Sequence, residues 1–342
     1  METDGEKVRG MEAETGDCLM IEPKLYKKAG FPLLFDVYEK ELRDQPGLLA
    51  HLRMVRDHIM QGQLSIAESL CLDLVPDYDL PAVWYILFIV YWFQKNIEAI
   101  ERTLNRAART DVHDIFFNLM KADAFAWSED PHLSLSMYTG ILCTRYETPY
   151  VFWMAGLVQT TIGWFYNAVD IIRTCLDMNP GASVMWERYA LALTKTGRID
   201  QARQELTRVA QDNPHEWIIW RALGQVLLLQ EEWAEGLKVF RRLNEMIPDD
   251  AFVSVGLGSC LKGTGHKEAS LKHFRKATRR KGHDFDAWMN LGVTLSELER
   301  EEEAIAALEK ARAINPEKFD ASVSDITYMI EHAIRDTVGS EA

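Results

Sequence analysis

Two glycine strings in this chain have the spacing of loops that cradle phosphate groups with their backbone N–H: Gly256-x-Gly258 and Gly258-x4-Gly263-Thr264. Such a loop needs a lysine and then serine or threonine directly after its last glycine, and it must follow a strand. Here Thr264 follows Gly263 directly, and the glycines fall inside a helical pattern. Ser259-x-x-Lys262 has the spacing of an acylating serine and its base, but no Lys-Thr-Gly string accompanies it. The nine histidines include no His-Glu-x-x-His. His266, His273 and His283 are spaced seven and ten apart, so at most two share a helical face, and two histidines without a third ligand make a poor metal site. No Ser/His/Asp set or carboxylate pair can be assigned from spacing. These residues predict no catalytic site, no metal and no cofactor.

The five cysteines, Cys18, Cys71, Cys143, Cys175 and Cys260, are odd in number, scattered and without a Cys-x-x-Cys pair. That pattern fits free thiols in a reducing compartment, and a cytoplasmic location is expected. The N-terminus has no basic-then-apolar leader, and the longest apolar run, Val83–Phe93, is too short to span a bilayer. A formal charge of −14 over 342 residues argues against nucleic acid as a general partner. The one strong basic excess is Lys262, Lys267, Lys272, Arg275, Lys276, Arg279, Arg280 and Lys281. It could meet an acidic partner or RNA. Without interleaved aromatics, pairing with the acidic run Glu297, Glu299 and Glu301–Glu303 is the favoured expectation.

The elements that position all these side chains are repeats. Phe285–Lys318 carries Trp288-x2-Leu291-Gly292-x2-Leu295, then Ala304-x3-Leu308, Ala311 and Pro316. Trp288, Leu291 and Leu295 form one apolar helical stripe, Gly292 and Ala304 are small where two helices must approach, and Pro316 ends the second helix. Steps of thirty-four residues backward from Trp288 reach Ser254, Trp220, Trp186, Phe152, Asn118 and Trp84. The proline column repeats at Pro180, Pro214 and Pro248, and the small column at Ala122, Gly156, Ala190, Gly224, Gly258 and Gly292. Cys175 falls in the small column that holds Ala311, so packing rather than nucleophilic chemistry is expected of it.

These three columns resemble the tetratricopeptide-repeat family over residues 81–318, as seven units of 34 residues. The fold class this implies is all-α, a right-handed α-solenoid of helix-turn-helix repeats. Residues 1–30 are expected to be a disordered acidic arm, and 31–80 an N-terminal helical cap with one degenerate repeat. Residues 319–338 are expected to be a capping helix with an apolar stripe of Phe319, Val323, Ile326, Ile330 and Ile334. The repeats occupy nearly the whole chain and leave no room for a separate catalytic domain.

In this family, repeat positions two, five, nine, twelve and thirteen face an inner groove, and the resemblance carries that geometry to this chain. The columns supply Tyr85, Ile89, Trp92 and Phe93 from the first unit, then Phe116, Leu119, Asp123, Ala126 and Trp127. The third unit supplies Tyr150, Trp153 and Leu157. Later units present Glu187, Lys195, Arg221, Gln225, Ser259, Lys262, Asp286 and Glu297 instead. The helix Val83–Phe93 is apolar on every face, so something besides the repeat core must cover the surplus. Three covers present themselves: a segment of a protein partner, the helices of 31–80 folded back, or a second copy. The expected function is non-enzymatic binding of an apolar or amphipathic peptide over Tyr85, Ile89, Trp92, Phe93, Phe116, Leu119, Trp127, Tyr150, Trp153 and Leu157. The alternatives are a chaperone for a bacterial secretion or assembly system, which an apolar groove resembles, and a self-associating scaffold. The lysine–asparagine clamp of heat-shock co-chaperones is missing from these columns, which disfavours that role.

Overall fold

The computed structural model describes residues 26, 30–111, 113–126, 130–144 and 146–322, and among them the regular structure is entirely helical. The chain divides into two compact units, Met1–Gly197 and Arg198–Ala342. The division falls at Gly197, between the two helices of one repeat, a break that the repeat register of 81–318 does not mark.

The first unit contains α1 (Phe31–Glu41), α2 (Pro46–Gln61), α3 (Leu64–Leu74), α4 (Pro81–Gln94), α5 (Ile97–Ala107) and α6 (Ile115–Ala126). It continues with α7 (Pro131–Leu142), α8 (Pro149–Thr161), α9 (Phe165–Met178) and α10 (Ser183–Lys195). The second unit contains α11 (Ile199–Asp212), α12 (Trp217–Leu229), α13 (Trp233–Met246) and α14 (Ala251–Gly263). It ends with α15 (Lys267–Arg280), α16 (Phe285–Ser296) and α17 (Glu301–Ile314), after which residues 316–322 are again helical. The first helices of the pairs start at 81, 115, 149, 183, 217, 251 and 285, so the sequence register is the helix register.

Local chemistry sets the boundaries. Proline opens α2, α4, α7 and α8, where a missing N–H breaks no helical bond. The carboxylates of Asp250 and Asp284 accept from Val253 and Ala287 N–H at 3.0 Å and cap α14 and α16. Six of the repeat hairpins turn through a left-handed residue among the described residues. Gly163, Gly197 and Gly265 take it at φ of 80°, 76° and 84°, and Lys95, Glu231 and Glu299 take it at 57°, 56° and 61°. The turn is therefore dictated by the hairpin even where no glycine eases it.

Packing explains the other columns. A Cβ on Gly258 would lie 2.5 Å from Cε1 of Phe274, and one on Gly292 would lie 2.6 Å from Cγ of Leu308. The small column is thus the line of contact between paired helices, and the phosphate-loop spacing at Gly258 is a consequence of it. Two members of the tryptophan column close the preceding turn: Trp288 Nε1 donates to the Gly282 carbonyl at 2.9 Å and Trp186 Nε1 to that of Pro180 at 3.2 Å. Cys175 is buried, and burial pushes its thiol up to about 12, so it stays protonated and inert.

Candidate interaction site

Helix α1 determines the character of the N-terminal repeats. Its residues Phe31, Leu33, Leu34, Phe35, Val37 and Tyr38 are buried, while Pro32, Asp36 and Lys40 face solvent, an amphipathic division along eleven residues. Tyr38 packs against Phe116 of α6 with ring centroids 4.4 Å apart, and against Tyr85 of α4 at 6.4 Å. Its hydroxyl donates to the Ala82 carbonyl at 2.8 Å. Just before the helix, a Cβ on Gly30 would lie 2.7 Å from Cζ3 of Trp153, so only glycine allows this approach to α8. On the outer side, the Arg56 guanidinium of α2 stacks 4.7 Å from the Phe35 ring, and Arg53 Nε donates to Glu39 at 2.7 Å.

The side chains expected to line an open groove are therefore enclosed. Tyr85, Ile89, Phe116, Leu119, Tyr150, Trp153 and Leu157 are buried; Trp92 is 5% exposed and Phe93 half-buried. Trp127 lies outside the described residues. In the structure α1 packs on this surface through Tyr38 and the Tyr26 ring packs on its tryptophans, because the all-round apolar helix α4 and the aromatic columns of α6 and α8 present more area than repeat stacking can bury. Of the acidic arm placed at 1–30, only Tyr26 and Gly30 are described, and both are buried. Tyr26 is no part of a solvated leader. Its ring lies edge-on to Trp92 at 5.4 Å and to Trp153 at 6.2 Å.

Beneath this aromatic layer lies a carboxylate. Asp123 on α6 is fully buried, with one oxygen accepting from Tyr138 and the other from Tyr85 and from Tyr150 at 2.5 Å. Tyr26 joins the cluster through its hydroxyl, 3.0 Å from that of Tyr150. Burial pushes the Asp123 carboxyl up to about 6, and the tyrosine hydroxyls pull it part of the way back. The same burial, followed by the field of Asp123, holds the Tyr85, Tyr138 and Tyr150 hydroxyls well above their ordinary range, so they remain donors. Five elements (the segment at Tyr26, α4, α6, α7 and α8) thus converge on one polar point inside an aromatic core. The sequence signal was a lone acid in an otherwise apolar inner column. Tyr26, Tyr38 and Tyr138 gave no signal, since none falls in a groove column.

The basic stretch of the second unit is largely paired. Lys262 and Lys267 meet Glu297 at 2.7 and 2.9 Å, Arg275 meets Glu303 at 2.8 Å, and Arg280 meets Asp249 at 2.8 Å. Lys276 reaches Asp249 at 3.7 Å. Lys272 and Arg279 have no ion pair among the described residues and border a cleft of about 480 Å³ with Asn244 and His273. Among the described residues no group of three or more metal ligands occurs, and no helix is long and apolar enough to cross a membrane.

Comparison with known proteins places these features. Residues 174–251 and 257–318 match the family profile described as the tetratricopeptide repeat. Anaphase-promoting complex subunit 3 of Schizosaccharomyces pombe is 21% identical over 183 residues, covering 54% of this chain and 28% of that protein. The CTR9 homolog of Arabidopsis thaliana is 33% identical over 85 residues, 25% of this chain and 8% of that protein. The chain thus spans well under a third of the length of these curated relatives. A solved tetratricopeptide repeat protein from Parabacteroides merdae superposes with a TM-score of 0.57 at 14% identity, covering 70% of this chain and 96% of the other, a likeness of fold. Residues 174–251 and 257–318 thus carry tetratricopeptide repeats, and the 34-residue helix register and shared fold give the chain a helical-repeat architecture of the kind that serves in protein interaction.

Proposed function

We propose that this protein is a non-enzymatic interaction module whose N-terminal groove, over Tyr85, Ile89, Trp92, Phe116, Leu119, Tyr150, Trp153 and Leu157, binds an aromatic amphipathic helix of a protein partner. Its own helix α1 occupies that groove in the resting state. The observation that carries the reading is α1 itself: a short helix from outside the 34-residue register, with Phe31, Phe35 and Tyr38 buried and Tyr38 seated on Tyr85 of α4 and Phe116 of α6. A helix-in-groove contact of this kind uses anchors at three- and four-residue spacing. Large aromatic anchors supply most of the binding energy of such contacts. A partner helix with the same spacing would compete with α1 for the groove. The relative named as a subunit of a complex agrees with a role inside an assembly.

The test uses the full chain with Phe31→Glu and Phe35→Glu, which expels α1 by burying charge against aromatics. A labelled synthetic peptide of residues 26–42 is then titrated into the variant and the wild type. The variant is expected to bind it and the wild type to resist it, and a peptide carrying the same two substitutions should fail to bind. A variant that keeps its helical signal yet ignores the peptide would refute the proposal. Wholesale unfolding of the variant would equally count against it, because α1 would then be an inseparable part of the core.

A further inference from the structure

A second cleft, independent of the groove, lies in the same unit between α7 and α9 and over α8. It measures about 620 Å³, within the usual range of ligand sites, and Leu135, Thr139, Gln159, Trp164 and Asp170 are among its walls. Its lining falls on helical stripes: residues 132, 135, 136, 139 and 142 of α7, 155 and 159 of α8, and 167, 170 and 171 of α9. Trp164, at the turn into α9, is 49% exposed, a large aromatic left in solvent beside the His132 ring at 5.7 Å.

The polar side chains of this cleft are Thr139, Gln159 and Asp170 with His132, Ser136 and Asn167. Gln159 is only 7% exposed, and its Oε1 has no donor among the described residues. The Thr139 hydroxyl gives its proton to the Leu135 carbonyl at 2.8 Å, which leaves its lone pairs free to accept. Asp170 is exposed and makes no ion pair among the described residues. The lining includes that carboxylate and neither lysine nor arginine. The cleft therefore offers one carboxylate and one exposed aromatic face.

We infer that this cleft receives an arginine side chain of a partner polypeptide, with the guanidinium on Trp164 and paired to Asp170. A guanidinium has five donors and no acceptor, stays charged and stacks on indole, so it answers each exposed feature at once. Apolar residues flanking that arginine would lie on Leu135, Leu142 and Ile171 of the same walls. An acidic segment or a nucleic acid would bring its charge against Asp170.

The experiment titrates the full-length protein with the blocked peptide Leu-Arg-Leu, following the Trp164 indole N–H resonance, assigned through Trp164→Phe. Three counterparts carry lysine, citrulline or glutamate in place of the arginine. The arginine peptide should shift the Trp164 signal, with lysine weaker and citrulline and glutamate without effect. With binding read instead by anisotropy of the fluorescently labelled arginine peptide, Asp170→Asn and Trp164→Ala should each weaken it roughly threefold, and together about tenfold. Both positions are exposed, so neither change threatens the fold. An unmoved Trp164 signal at millimolar peptide would overturn the inference. So would equal binding of the citrulline or glutamate peptide, or affinity unchanged in both variants.

Discussion

Replacing Asp123 by asparagine isolates the energetics of the buried tyrosine cluster. The carboxyl titrates near 3.8 when exposed and is pushed up to about 6 in the fold. A raised folded value means the folded state holds its proton more tightly than the unfolded chain does. Stability from this group is therefore greatest at low pH and is lost as pH rises toward and through 6. The full shift corresponds to about 3 kcal/mol, since each pK unit is worth about 1.4 kcal/mol. Between pH 7.5 and pH 5 the linkage relation returns about 1.4 kcal/mol of it. The tyrosines around Asp123 titrate far above this window, so they contribute no slope of their own. Urea unfolding of wild type and Asp123→Asn at both pH values, read by intrinsic fluorescence, gives the difference directly, because other titrating groups cancel between the two proteins. The wild type should gain about 1.4 kcal/mol on the variant as pH falls from 7.5 to 5. A constant gap, or one that moves the other way, would show that the hydroxyls outweigh burial and that the carboxylate is the favoured form.

Two further predictions concern the repeat geometry. Glu231 holds the left-handed turn position that glycine holds at 163, 197 and 265, so Glu231→Gly should stabilise by up to about 1 kcal/mol, the relief of φ being partly offset by a freer unfolded chain; a lower urea midpoint would refute this. Gly258→Ala places a methyl 2.5 Å from the Phe274 ring and should lower stability by roughly 1–3 kcal/mol at unchanged m-value. A variant as stable as wild type would mean that the small column does not set the approach of α14 and α15.

Much of this architecture was legible in the residues because a repeat states each structural demand several times. The columns through Trp288, Gly292 and Pro316 correspond, step by step, to a turn-closing indole, a helix contact and a helix end. The excess of apolar surface on Val83–Phe93 was also plain, since composition alone shows that one stripe would suffice for packing. The cover of that surface was not settled by the pattern. Helix α1 belongs to no repeat, and an amphipathic segment carries no mark of which distant face it will meet. The same is true of Tyr26, which joins Tyr150 across 124 residues. Asp123 was one residue among the inner columns, and its three direct hydroxyl donors come from three separate helices.

By itself, then, the sequence determined the local and periodic part of this protein: which residues form helices, where hairpins turn, and which faces are apolar. Those properties follow from side-chain volume, backbone freedom and spacing within some thirty residues. Tertiary structure alone decided that Tyr26 and α1 pack on the N-terminal groove, that a carboxylate sits beneath them, and that a cleft with an exposed indole and carboxylate opens between α7 and α9. Each depends on which non-neighbouring surfaces match in area, shape and hydrogen-bonding capacity, and such matching exists only once the chain has folded.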